Sequence, residues 1–272
     1  MPELPEVETI RRDLDKRIKG LEIVKVEILD RRVVRHRTEI EFVRHLAGKK
    51  FTGVLRRGKA LIFNFEGTAP HLVVQLMMTG QFLLTASPTK VKATKVVFTL
   101  SNDQYLIYND HRLFGRLQVV EDLATFPYLM KLGPEPLGSG FSSAWLAKNV
   151  LLHRTAIKKL LLDHHFVAGI GNIYASEILF AAGILPQRPA NSLSAKEAAR
   201  LHHSVREVLK LAVQHRGTSM NTYRDADGQE GQFLSFLKVY GREGEACSDC
   251  RRLIKKEVMS GRSTFFCETC QQ

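Results

Sequence analysis

All four cysteines of this chain lie in residues 247–272, as Cys247-Ser-Asp-Cys250 and Cys267-Glu-Thr-Cys270. Each CxxC is a tight knuckle that can aim two thiolates at one ion, and the pair together matches a tetrahedral zinc set rather than two disulfides. A pair of redox dithiols is the competing reading, although one CxxC would serve for that. Four thiolates leave no open position for substrate, so the expectation is one structural Zn2+ that does no chemistry. The intervening RRLIKKEVMSGRSTFFC reads as a hairpin turning at Ser260-Gly261-Arg262.

The rest of the chain is long enough for real cores, at 272 residues and 44% hydrophobic. Val7, Ile10, Leu14 and Ile18 form a helical stripe. Pro5 suits its first turn, Glu3 and Glu6 suit its positive end, and Gly20 stops it. Strand-like runs follow: EIVKVEIL, FTGVL, ALIFNF, HLVVQLMM, KVVFTL, QYLIY and RLQVV. Their short spacing predicts an antiparallel sandwich or barrel through about residue 121. After KLGPEPLG (131–138) the pattern turns helical, near 142–150 and 154–162. AGIGN (168–172) then leads into IYASEILFAAGI, and SLSAKEAARL opens with Ser194 and Glu197 at capping-box spacing. RDADGQEGQ (224–232) reads as a mobile loop. The expected division is a β half over 1–130, a helical part over 131–235 and the zinc hairpin over 236–272.

Forty Lys and Arg against 28 Asp and Glu give a net charge of +12. That excess favours a polyanion, nucleic acid or an acidic membrane surface. No apolar run approaches a membrane span, and no basic-then-apolar leader opens the chain. A soluble intracellular protein is the expectation.

The N-terminus, MPELPEVETI, carries a second line of argument. Removal of Met1 leaves Pro2 as a free secondary amine, with an appreciable neutral fraction near neutrality. Such an amine, attacking a sugar C1′, yields an iminium that is cationic without protonation. That cation can expel a base and then acidify the neighbouring C–H for loss of phosphate. Glu3 is placed to protonate the sugar ring, and Glu6 to order the turn or the amine. The plain alternative is that Pro and Glu simply start a helix.

The whole chain resembles bacterial formamidopyrimidine-DNA glycosylases. The resemblance is carried by PELPEVET, RRGK (56–59), LMMTGQF (76–82), NDHRLFG (109–115) and LGPEPL (132–137). It continues through LLLDHHFVAGIGNIYASE (160–177), VYGREG (239–244) and the zinc pattern. It implies an α+β architecture: an N-terminal β-sandwich with an N-terminal helix, a helix–two-turn–helix domain and a four-cysteine zinc-finger hairpin. The implied activity is a bifunctional glycosylase and AP lyase for oxidised purines, 8-oxoguanine and formamidopyrimidines, cutting damaged duplex DNA by β,δ-elimination as a monomer. Pro2 is then the Schiff-base nucleophile, Glu3 the acid, Lys59 a general acid/base near phosphate, and Arg262 a phosphate grip. Met78, Arg112 and Phe114 match the wedge that fills the hole left by a flipped base; read without the family, Met78 and Phe114 would be core residues. Asp110 would orient their loop. Asn172, Arg154 and Lys158 are implied at the DNA backbone, with Arg154 and Lys158 one turn apart on a helix. The loop around 219–232 would cover the flipped base. Leu4, Arg112 and Phe114 favour the purine branch over relatives that begin Pro-Glu-Gly-Pro-Glu.

The chain departs from the family pattern at Ala93 and Gln75, where relatives carry histidines. Lys95 could replace the Ala93 position in charge. His111, Leu113 and His164 are also unusual, and Arg251 stands where the knuckle often has glycine, an awkward residue if φ is positive there. A non-catalytic DNA-binding protein is the alternative class; intact Pro2, Glu3 and Lys59 argue against it.

Overall fold

A computed structural model describes residues 1–88, 91–220 and 223–272. The chain divides into two compact units, one of residues 1–130 with 215–232, the other of residues 131–214 with 233–272.

In the first unit the helical stripe becomes α1 (Leu4–Ile18), with Val7, Ile10, Leu14 and Ile18 all buried. Each such side chain contributes at most about 1.5–3 kcal/mol of transfer free energy. Gly20, at φ +84°, turns the chain out of the helix into β1 (Ile23–Ile28). α2 (Glu39–Leu46) follows, a helix absent from the expected elements, with Thr38 and Glu41 forming a capping box. The strands are β2 (Phe51–Arg57), β3 (Ala60–Phe65), β4 (His71–Gln75), β5 (Gly80–Thr85), β6 (Thr94–Leu100), β7 (Tyr105–Asp110) and β8 (Arg116–Val120). They form two antiparallel four-stranded sheets, ordered β1-β6-β7-β5 and β2-β3-β4-β8. Phe63 of one sheet meets Phe82 of the other edge-on, ring centroids 5.3 Å apart, inside one shared core. The structure is therefore a sandwich.

The run HLVVQLMM is not one strand. β4 ends at Gln75, and Met77 at φ +54° breaks the extended chain before β5 begins. Residues 215–232, expected in the helical part, pack in this unit. The stretch 224–232 is anchored where a mobile loop was expected: Asp225 and Ala226 are buried, and the Leu84 N–H donates to the Ala226 carbonyl along the free edge of β5.

After α3 (Pro127–Met130), the second unit is built on α4 (Ser143–Val150), α5 (Ile157–Leu161), α6 (Asn172–Ala182) and α7 (Ala195–Gln214). α7 packs on α4 and α6 and buries Leu201, Val205 and Leu209. Its start is closed as expected, with Ser194 and Glu197 bonded reciprocally. β9 (Lys255–Met259) and β10 (Arg262–Phe266) pair antiparallel, and β10 packs against α6. Among the described residues no helix is long and apolar enough to cross a membrane.

Candidate functional site

In the first unit, Pro2 is buried directly before α1, and Glu3 and Glu6 are only 4% and 2% exposed. The Glu6 carboxylate closes this turn from both sides. One oxygen accepts the Glu3 N–H at 2.7 Å, the other the Thr218 N–H at 2.7 Å. Gly217 is required beside it, since a Cβ there would lie 2.5 Å from a Glu6 oxygen.

Lys59 sits in the two-residue turn between β2 and β3, where Gly58 supplies the positive φ of the first turn position. This turn is held from α1. Arg56 donates to Glu8 at 3.0 Å and to the Gly58 carbonyl at 2.9 Å. Burial works to raise the Glu8 pKa, but hydrogen bonds and charge from Arg11, Arg12 and Arg56 hold it below the usual carboxylate value. Sequence reasoning does not find Glu8 and Arg56, because no short motif marks them as a pair.

The structure brings the three wedge candidates together. Met78 and Phe114 are 39% and 46% exposed, which rules out the core reading. Arg112 joins them, its Nη1 3.1 Å from Met78 Sδ and its guanidinium 4.8 Å from the Phe114 ring centre. Asp110, fully buried, organises the loop. Its carboxylate accepts from the Thr79 hydroxyl, the Arg112 N–H at 3.1 Å and the Gly115 N–H at 2.8 Å. Ala93 lies behind this loop, 3% exposed, its carbonyl accepting the Asp110 N–H. Lys95 does not supply the missing charge at the surface: it is 9% exposed and donates to the Lys92 carbonyl. Gln75 is likewise buried.

In the second unit, Arg262 is exposed at the start of β10, beside a turn whose Ser260 and Gly261 both have positive φ. This is the tight hairpin geometry that matches strand twist. Two expectations fail here. Arg154 precedes α5 rather than lying on it, and Lys158 is only 1% exposed. Lys158 Nζ donates to the Ser263 carbonyl at 3.1 Å and the Thr264 hydroxyl at 2.8 Å. Asn172, the first residue of α6, donates to the same Ser263 carbonyl at 2.8 Å. Both side chains thus brace β10 one residue beyond Arg262. A helical period places residues on a face but cannot say which face a second element covers.

The four cysteine sulfurs lie within 4.8 Å of one another, Cys247–Cys270 at 3.8 Å and Cys250–Cys267 at 3.4 Å. Tetrahedral Zn–S bonds of about 2.3 Å set sulfurs roughly 3.8 Å apart, so the set fits a metal ion. A hydrogen bond from the Arg252 backbone brings Cys250 down to about 7, whereas burial pushes Cys267 and Cys270 up. Arg251 stands at φ +66°, the left-handed position its place in the knuckle requires. Glu177, in the GNIYASE stretch, has a structural part that its motif does not reveal. Its buried carboxylate accepts the N–H groups of Lys238, Val239 and Tyr240 at 2.8, 3.0 and 2.8 Å, just ahead of the finger. Burial pushes its pKa up against those bonds.

Comparison with known proteins accounts for both units. Residues 1–117 match the formamidopyrimidine-DNA glycosylase N-terminal domain, 132–224 the H2TH domain of the same family, and 244–272 a zinc finger found in FPG and IleRS. The chain belongs to the formamidopyrimidine-DNA glycosylase family. It is thus an enzyme of DNA repair, a DNA glycosylase with a C-terminal zinc finger. The formamidopyrimidine-DNA glycosylase of Desulfitobacterium hafniense is 44% identical over 274 residues, covering 100% of both chains. A Lactococcus lactis Fpg mutant in complex with Fapy-dG containing DNA aligns at TM-score 0.93 and 37% identity, covering 100% of both chains. The wild-type Lactococcus lactis protein with oxidised-pyrimidine DNA aligns at TM-score 0.91 and 37% identity, again over 100% of both.

Proposed function

We propose that this enzyme excises oxidised purines, 8-oxoguanine and formamidopyrimidines, from duplex DNA and then cuts the strand by β,δ-elimination. The observation that carries the reading is the N-terminal turn, with Pro2 and Glu3 buried together and Glu6 fixing the backbone between them. Once Met1 is removed, the Pro2 nitrogen attacks C1′ of the lesion nucleotide. The bond from C1′ to the base breaks, the departing base taking up the proton that the amine gives up, and Glu3 gives its proton to the opening sugar oxygen. The resulting iminium acidifies C2′–H. Loss of that proton expels the 3′ phosphate, and a second elimination expels the 5′ phosphate. Lys59 and Arg262 supply charge to the phosphates and proton transfer near them.

The Met78–Arg112–Phe114 cluster supports base flipping, with Phe114 and Met78 filling the vacated stack and Arg112 hydrogen-bonding the orphaned cytosine. Arg154 and Asn172 are proposed at the DNA backbone. Lys158 acts behind them, through β10. One zinc ion, held by Cys247, Cys250, Cys267 and Cys270, would keep the finger folded. Residues 1–130 would carry the chemistry, and the helices and finger most of the phosphate contacts, in a monomer. The Lactococcus lactis complexes with Fapy-dG and with oxidised-pyrimidine DNA make lesion range the point to test.

The experiment is borohydride trapping on duplexes carrying 8-oxoguanine opposite cytosine or thymine glycol. A covalent adduct forms with the first and much less with the second. A gel shift without any adduct would identify a binding protein and end the catalytic reading. Equal trapping on both duplexes would end the purine preference.

A further inference from the structure

We infer that Arg216 is a positioning residue for base excision: its guanidinium ties the base of the segment 215–232 to the helix that carries the catalytic turn. The inference rests on the function proposed above and on the expectation, implied by the family resemblance, that the loop around 219–232 covers the flipped base.

Arg216 occupies a left-handed backbone position, φ +59°, with Gly217 at φ +77° behind it. A non-glycine residue there carries roughly 1–2 kcal/mol of strain, and the side chain shows what offsets it. Arg216 Nη2 donates to Asp13 of α1 at 2.5 Å and to Asp225 at 2.7 Å, and Nε donates to Asp225 at 3.1 Å. One arginine therefore joins the helix to the far side of the loop. Asp225 is itself buried, and its other oxygen accepts the N–H groups of Asp227 at 3.0 Å and Gln229 at 2.8 Å. Asp227 pairs with Arg17, one turn beyond Asp13 on α1.

The neck of the segment is closed by short contacts. The Tyr223 hydroxyl donates to the Arg216 carbonyl at 3.1 Å, the Gly231 N–H to the Ser219 hydroxyl at 2.9 Å, and Thr218 bridges Gln232. Residues 221 and 222 lie outside the described residues. Two residues from Arg216, the Thr218 N–H meets Glu6, which also holds the Glu3 N–H. A single path therefore runs from Asp13 through Arg216 and Thr218 to the catalytic turn. The Asp13–Asp225–Asp227 cluster has arginine partners at each member, which explains it without a cation.

The chemistry separates this role from a structural one. Excision needs the base-covering segment in place, whereas cleavage of a preformed abasic site has no base to cover. Arg216→Gly keeps the left-handed backbone and removes the clasp. It lowers single-turnover excision of 8-oxoguanine by about 10- to 100-fold, the scale of a misplaced contact. Cleavage of an abasic duplex stays within about 3-fold. Arg216→Lys restores part of the loss, since an ammonium meets one carboxylate but not the fork. Asp13→Asn, which leaves the loop's own bonds intact, shows the same selective loss at smaller size.

Hydrogen exchange on the DNA-free protein reads the clasp independently of activity: the Asp227, Gln229 and Leu84 amides lose protection in Arg216→Gly. A proportional fall of both activities, or unchanged excision, overturns the inference. So does unchanged exchange. If Arg216→Gly does not fold, Asp13→Asn decides by the same ratio. If the wild-type protein does not excise 8-oxoguanine at all, the functional reading fails with it, whatever the exchange shows.

Discussion

The two units fix their working loops by different means. In the first, carboxylates do it: Glu6 at the N-terminal turn, Asp110 at the loop 110–115, and Asp13 with Asp225 around Arg216. In the second, a thiolate cluster and a buried lysine do it, with Arg262 set between the finger turn and the Ser263 carbonyl. The difference follows from what each region has to bury. The sandwich has a large apolar core against which loops need only be latched by hydrogen bonds. The finger is a two-stranded hairpin with a small core, and such a hairpin is marginal without a staple.

The largest expected effect therefore comes from removing metal. Chelation unfolds residues 244–272, and affinity for a lesion duplex falls on the order of 100-fold or more. Amide protection in the sandwich stays as it was. Exchange monitored by mass spectrometry checks both halves of this statement, and a finger that keeps its protection without metal would erase the contrast between the units.

Lys158→Met tests the second staple. Loss of charge-assisted bonds to Ser263 and Thr264 lowers the stability of the second unit by about 2–4 kcal/mol, read from denaturant melts. The slope of log affinity against log salt stays unchanged. If Lys158 instead met a phosphate, the slope would shrink by about 1 and stability would hold.

The smallest effect sharpens the comparison at two arginines with left-handed backbone. Arg216 is held by two carboxylates, whereas Arg251 is exposed. Arg251→Gly should raise stability by about 0.5–1 kcal/mol. The finger then resists chelation at slightly higher chelator concentration. An unchanged or lower midpoint would show that the Arg251 side chain itself contributes.

Much of the fold is legible in the amino-acid order alone. The antiparallel strands, α1 and the hairpin turn follow from local pattern, because each is decided by residues close in sequence; the choice of a sandwich over a barrel came from the family resemblance. β5 escapes that pattern because its Gly80 start sits inside the LMMTGQF motif, where an apolar run carries β4 on through Met78. α2 is short: its apolar stripe, Phe42, Val43 and Leu46, spans only one turn. The place of 215–232 in the first unit is hidden for a related reason. Nothing in GTSM or RDADG announces that its partners are Glu6 and Asp13.

The sequence by itself determined the thiolate set and the composition of the N-terminal turn, since both rest on spacings of a few residues that covalent geometry enforces. Tertiary structure alone decided which cations are buried against protein partners. Lys158 finds Ser263 across 105 residues and Arg216 finds Asp13 across 203, and such partners leave no trace in local periodicity. A charge is exposed or buried only when a distant segment is placed against it.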